Sequence, residues 1–322
     1  MIHEACERDE LRTPCSPEGL KVVQITSDTE RESHAVYLDT PSWTPDSKRF
    51  VFNREASADG SKKAGLWLCD TEDNFAIRPI CEYGRRDGMD APATGAEEAS
   101  YGALLSPNGA CAYHLARRGG RVEVRRVDLD TLKQEPVCSA PMPIRARGAN
   151  TMSADSERIC MGVFLGDGTA EGAPWGAYIF DVKKGTYRAI EYGNGYRNMH
   201  CQYSHDPAPA FSHDISVIGS PGKLSDGSWL TPPDGSWRWK DMPAPFPPGQ
   251  GHRGEHQVVR DDGTNWRMLP LGNGRDIISG GHNTWRGRHY AIVGSMYHHP
   301  PGRWRAPLFE VSPVPIRKDD DR

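Results

Sequence analysis

The sequence lacks any long run with helical apolar spacing and clean caps. It also has no apolar stretch long enough to span a bilayer. A helical bundle and a helical membrane protein are thereby excluded. The first residues, MIHEACERDELRTPCSPEG, are charged and hold no apolar core, so no secretory leader is expected. Charge of one sign is lacking too. The formal net charge is -4, with Lys/Arg and Asp/Glu interspersed, which leaves no argument for a nucleic-acid or membrane partner. A local cationic cleft stays compatible with that balance. The eight cysteines form no CxxC pair. Several, such as Cys69 in GLWLCD and Cys160 in RICMGVF, lie in apolar strand-like runs. Buried free thiols and a cytoplasmic location are the expectation there, over a disulfide set.

What is present is turn chemistry. The 322 residues include 34 Gly and 26 Pro, and short β-rich runs are bounded by Asp, Gly, Asn and Pro. A Ser/Thr-Pro/Ala-Asp/Asn turn followed by a strand recurs as WTPDSKRFVF from Trp43, LSPNGACAYHL from Leu105 and MSADSERICMGVF from Met152. A diverged copy is YSHDPAPAFSHDISVIGS from Tyr203. A second strand ending in an acidic turn follows each, at Asp70, Asp128, Asp181 and Asp261, and a fifth such strand ends at Glu310. Tight Pro-Asp and Asp-Gly turns pair consecutive strands antiparallel, and one such sheet needs neighbours stacked on both faces.

This predicts an all-β protein, a β-propeller of four-stranded antiparallel blades, over an irregular β-sandwich. Five units are expected, at about 36–98, 99–143, 148–193, 198–272 and 279–313, near the length of a blade plus loops. Residues 1–32 read as an N-terminal extension, 33–313 as the propeller domain and 314–322 as a tail. The Pro-, Gly- and Trp-rich stretch 222–251 reads as an inserted loop.

No GxSxG elbow, HExxH, P-loop or dinucleotide fingerprint occurs, against a propeller-capped serine peptidase and nucleotide chemistry. No paired carboxylates at readable spacing suggest a hydrolase. Histidine is the uneven residue: nine of the twelve lie between His200 and His299. They include His200 in NMHCQYSHD, His256 in GQGHRGEHQVV and His282 in GGHNTWRG. Histidine supplies a base near neutral pH and is a common metal ligand. Each is either directed at a ligand in the propeller's funnel or is a satisfied polar residue of a turn. In GGHNTWRG the glycines let the backbone of His282 approach a ligand. Trp285 can stack on a sugar ring or pack a loop, and Arg286 and Arg288 can pair with carboxylates.

Three stretches resemble the oligogalacturonate lyases, which are seven-bladed propellers: SHAVYLDTPSWTPDSKRFVFNRE from Ser33, MHCQYSHDPAPAFSHDISV from Met199, and DDGTNWRMLPLGNGRDIISGGHNTWRGRHYAIVGS from Asp261. The resemblance implies β-elimination on short uronate oligosaccharides, with His282 as the Brønsted base and a divalent cation, often Mn²⁺, on the uronate carboxylate. His200, His256, Trp285 and Arg286 would then line the substrate. The family's assisting arginine has its nearest counterpart in Arg253 of HRGEH. The family's metal ligands fall mainly in blades beyond the five units visible here. Asn283-Thr284 stand where the family usually has Glu-Phe. The alternative is a non-catalytic propeller of the TolB-like kind, binding a glycan or a protein.

Overall fold

The computed structural model describes residues 2–36, 40–83, 100–141, 145–146, 151–165, 174–194, 197–198, 200–221, 255–265, 267–269, 278–297 and 308–313. The stretch 222–251, Arg253 and the tail 314–322 lie outside them. The chain is all-β and folds as a β-propeller of antiparallel blades; among the described residues a single short 3-10 turn, at Asp9–Leu11, is present. It divides into two compact units, Met1–Gly88 with Gly95–Val137, and Met89–Thr94 with Cys138–Arg322.

In the first unit the N-terminal segment forms a small ladder of β1 (Cys6–Glu7) and β2 (Val23–Gln24). Blade 1 is the sheet β3 (Ser33–Ala35), β4 (Arg49–Arg54), β5 (Ala64–Asp70) and β6 (Ala76–Tyr83). Blade 2 is β7 (Ser100–Leu105), β8 (Cys111–Arg118), β9 (Arg121–Asp128) and β10 (Gln134–Pro141). Val51, Leu66, Leu68 and Ile80 of blade 1 pack on Leu105, Ala112, Val127 and Leu129 of blade 2. Fully burying each such Leu, Ile or Val contributes about 1.5–3 kcal/mol. The other face of blade 1 holds Phe52, Trp67, Cys69 and Ile77, against which Ile25 of the N-terminal segment packs. The fully buried Arg54 lies over the Trp67 ring at 4.9 Å and is neutralised by Glu4 at 3.2 Å and Asp28 at 3.4 Å.

In the second unit, blade 3 comprises β11 (Arg145–Ala146), β12 (Thr151–Met152), β13 (Arg158–Phe164), β14 (Pro174–Asp181) and β15 (Thr186–Asn194). Blade 4 comprises β16 (Arg197–Asn198), β17 (Gln202–Tyr203), β18 (Asp214–Pro221), β19 (Glu255–Arg260) and β20 (Arg267–Met268). Blade 5 comprises β21 (Ile278–Trp285), β22 (Ile292–Tyr297) and β23 (Leu308–Val311). In blades 3 and 4 the first strand is split into two short pieces pairing one neighbour. Cys160, Ile179, Cys201, Tyr203, Ile215 and Val259 make the core between blades 3 and 4.

The recurring turn explains why the strands reverse where they do. Thr44 Oγ1 donates to Asp46 at 2.6 Å and accepts from the Arg49 N–H at 3.0 Å. Ser106 with Asn108 and Cys111 repeats this at 2.7 and 3.0 Å, as does Ser153 with Asp155 and Arg158 at 2.5 and 3.0 Å. The turn demands a left-handed residue, met by Ser47, Gly109 and Ser156. At the far turns Asp70, Asp128 and Asp181 each accept backbone N–H groups just downstream.

All eight cysteines are free thiols, and Cys69, Cys81, Cys138, Cys160 and Cys201 are buried. Among the described residues no helix is long and apolar enough to cross a membrane.

Candidate functional site

Blade 5's first strand, β21, is irregular. Ser279 pairs with Met296, yet Asn283 pairs with Gly294, so three residues, Gly280 to His282, oppose Ser295 alone. A bulge of this kind breaks the ladder and turns the strand, and bulges concentrate beside functional sites. His282 therefore sits at the end of a bulge opened by two glycines. Regular pairing resumes at Asn283 and runs to Trp285 opposite Ile292.

The strand next to it across the blade interface is the first strand of blade 4. Asn198 pairs with Ser220 and Gln202 with Ser216, and His200 lies between these two pieces of the strand. His256 on β19 pairs with Ile218. Burial, and after it the charge of nearby His200, hold the pKa of His256 down at about 4. His256 is a neutral imidazole inside the blade, not a loop residue at the exit of the 222–251 stretch.

Blade 4 also carries Gln202 and Ser216. Gln202 Nε2 donates to the Asn283 carbonyl at 2.7 Å, and Asn283 Nδ2 donates to Ser216 Oγ at 3.2 Å. Trp285 Nε1 donates to the Gln202 carbonyl at 3.0 Å. All four residues are buried, so a polar seam runs through the interface of blades 4 and 5 beside an apolar patch of Val258, Leu269 and Ile292. Burying this many polar groups is tolerated because they bond to one another. Asn283 Oδ1 alone of the seam has no partner among the described residues.

His200 lies near enough to His256 for its charge to act there, and the backbone of His282 occupies the bulge on the neighbouring blade. Trp285, 2% exposed, stacks on Tyr290 at 5.2 Å and has no free face for a sugar. Arg286 is exposed and pairs with Glu310 at 2.8 Å. Arg253 lies outside the described residues. Residue types did not single out Gln202 and Ser216, and marked Asn283 only as a departure from the family's Glu. The available signal was period-two spacing from His200 to Gln202.

Among the described residues no group of three or more His, Cys, Asp or Glu side chains is disposed to hold a metal ion. The described side chains do not supply a donor set for the cation that the resemblance implies.

No protein-family model matches the chain. The comparison with curated proteins returns no match. Among solved structures, the chain is similar to an oligogalacturonate lyase in complex with manganese. The TM-score is 0.63 at 17% identity, over 92% of this chain and 67% of that one. It is also similar to an oligogalacturonate lyase from Vibrio parahaemolyticus, with a TM-score of 0.50 at 17% identity over 92% and 80% of the two chains. A TolB from Acinetobacter baumannii aligns over 84% of this chain and 53% of its own, at 15% identity and a TM-score of 0.42. At these identities the first two likenesses establish the fold.

Proposed function

We propose that the protein is a lyase that cleaves short uronate oligosaccharides by β-elimination, with His282 as the base. The observation that carries this reading is the bulge, which sets a histidine, preceded by two glycines, on the first strand of a blade. The two lyases with TM-scores of 0.63 and 0.50 supply the substrate class.

The chemistry asks for few groups. The base takes the proton from C5, α to the uronate carboxylate, the freed electron pair forms the C4=C5 double bond as the C4–O bond breaks, and the leaving oxygen takes up a proton from the imidazolium or from water. An imidazole titrating near neutral pH suits the first step. The developing enolate needs a positive partner. Arg286 is held by an exposed ion pair, a contact worth about 0–1 kcal/mol, and exchanges Glu310 for a uronate carboxylate at little cost. Arg253 is the second candidate for that role. Manganese dependence belongs to the proposal because one lyase neighbour is a manganese complex.

The test mixes the protein with short galacturonate, alginate and ulvan oligomers, with Mn²⁺ or with a chelator. Growth of the ultraviolet absorbance of the unsaturated uronate product is expected, and its loss in His282→Ala. Binding of oligomers without turnover under every condition would replace the lyase with a glycan-binding propeller.

A further inference from the structure

We propose that Gln202 is the positioning residue of this site, holding the bulge of His282 from the neighbouring blade. The inference rests on the reading of His282 as the base, but its geometry stands apart from that reading. A bulge gives up ladder hydrogen bonds where it forms, and the backbone leaving it must be held by something else. Gln202 does this twice. Its side-chain amide donates to the Asn283 carbonyl at 2.7 Å, directly after His282, and its own carbonyl accepts from Trp285 Nε1 at 3.0 Å. The two bonds bracket Thr284 and tie β17 to β21 as a two-point clamp.

Burial makes the clamp rigid. Gln202, Asn283 and Trp285 are 1%, 4% and 2% exposed, so water cannot replace either bond. Gln202 is itself anchored opposite Ser216 on β18, and Ser216 accepts from Asn283 Nδ2. A side chain that fixes the peptide next to His282 holds the backbone from which that residue projects without touching substrate. Small losses of such alignment slow catalysis far more than they weaken binding.

The experiment replaces Gln202 by methionine, of similar length but without the donor, and Trp285 by phenylalanine, which removes only the other bond. Two readouts are taken. One is the pH titration of the His282 ring signal by NMR, assigned by its disappearance in His282→Gln. The other is kcat and KM on the uronate oligomer cleaved by the unaltered protein. In Gln202→Met the His282 titration shifts while that of His114 does not, and kcat falls ~10- to 100-fold with KM nearly constant. Trp285→Phe gives the same pattern more weakly and decides the matter should Gln202→Met not fold. An unmoved His282 titration in a folded Gln202→Met protein overturns the clamp. Absence of any cleavage by the unaltered protein removes the lyase reading, and the titration then judges the clamp on its own.

Discussion

Asp261 marks an acidic turn in the sequence just as Asp70, Asp128 and Asp181 do, yet its carboxylate does something different. It is almost fully buried and accepts from Arg158 at 2.6 Å, Arg188 at 3.1 Å, Tyr203 at 3.1 Å and His213 at 3.0 Å. Its neighbour Asp262 takes over the turn, accepting from the Thr264 N–H at 2.9 Å. Burial works against the charge, but the bonds from His213 and Arg158 outweigh it and keep Asp261 ionised. Asp261→Asn leaves the cations Arg158 and His213 without their shared anion. A loss of ~3–5 kcal/mol in urea unfolding is expected, the scale for a buried pair broken on one side. A change under ~1 kcal/mol would mean that the network is screened like a surface pair. Residue types alone could not reveal this role, because Arg158 and Arg188 come from blade 3 and Tyr203 and His213 from distant positions of blade 4, and only the fold brings them to Asp261.

The repeated turn is where sequence and structure agree most closely. Three turns are legible because a hydroxyl and a carboxylate or amide recur at fixed offsets, and the acidic turns extend the count to five units. Gly109 occupies the left-handed position in blade 2, at φ +73, and a Cβ there would meet Pro45 Cδ of blade 1 at 2.8 Å. Gly109→Ala therefore strains the backbone and pushes two turns apart. A loss of more than ~1 kcal/mol is expected, read as a lowered thermal midpoint, whereas Gly119→Ala meets only the strain of its φ of +56 in open space. Blade 4's turn diverges to YSHDPAPAFSHD, yet Ser204 still receives Asp214: its N–H donates to the Asp214 carbonyl at 2.8 Å. The site was less legible than the fold. His282 stood out through its glycines. Trp285, in Gly- and Arg-rich surroundings, read equally as packing or as a sugar platform, and only its tertiary contacts with Gln202 and Tyr290 put it in the core.

Across the whole molecule the titrating histidines set a stability window. Burial depresses His114 and His256 to about 4, below the unfolded value of about 6.5. Their neutral state binds fewer protons than the unfolded chain does, so the stability they permit is present above pH ~6.5 and is lost as pH falls toward 4. His213 runs the other way. Hydrogen bonds to Asp155 at 3.1 Å and Asp261 at 3.0 Å push it up to about 9. Its contribution is complete below pH ~6.5 and is lost as pH rises through 9. Thermal midpoints are thus expected to fall on both sides of neutrality. His213→Gln lowers the neutral plateau and flattens the alkaline limb, and His256→Leu flattens the acid limb. An alkaline limb unchanged in His213→Gln would assign that loss of stability to other groups. His114 belongs to the first compact unit and His256 to the second, so acid weakens both, while the alkaline loss belongs to the second.

The break in β21 has a use beyond holding one histidine. Because pairing resumes in register at Asn283, residues added or removed among Gly280, Gly281 and His282 leave the rest of blade 5 where it is. A protein engineer would treat this as a cassette. Libraries varying the length and sequence of these three positions sample new chemistries on a frame that does not have to be rebuilt each time. The survivors are expected to melt within a few degrees of the parent while differing widely in what they bind.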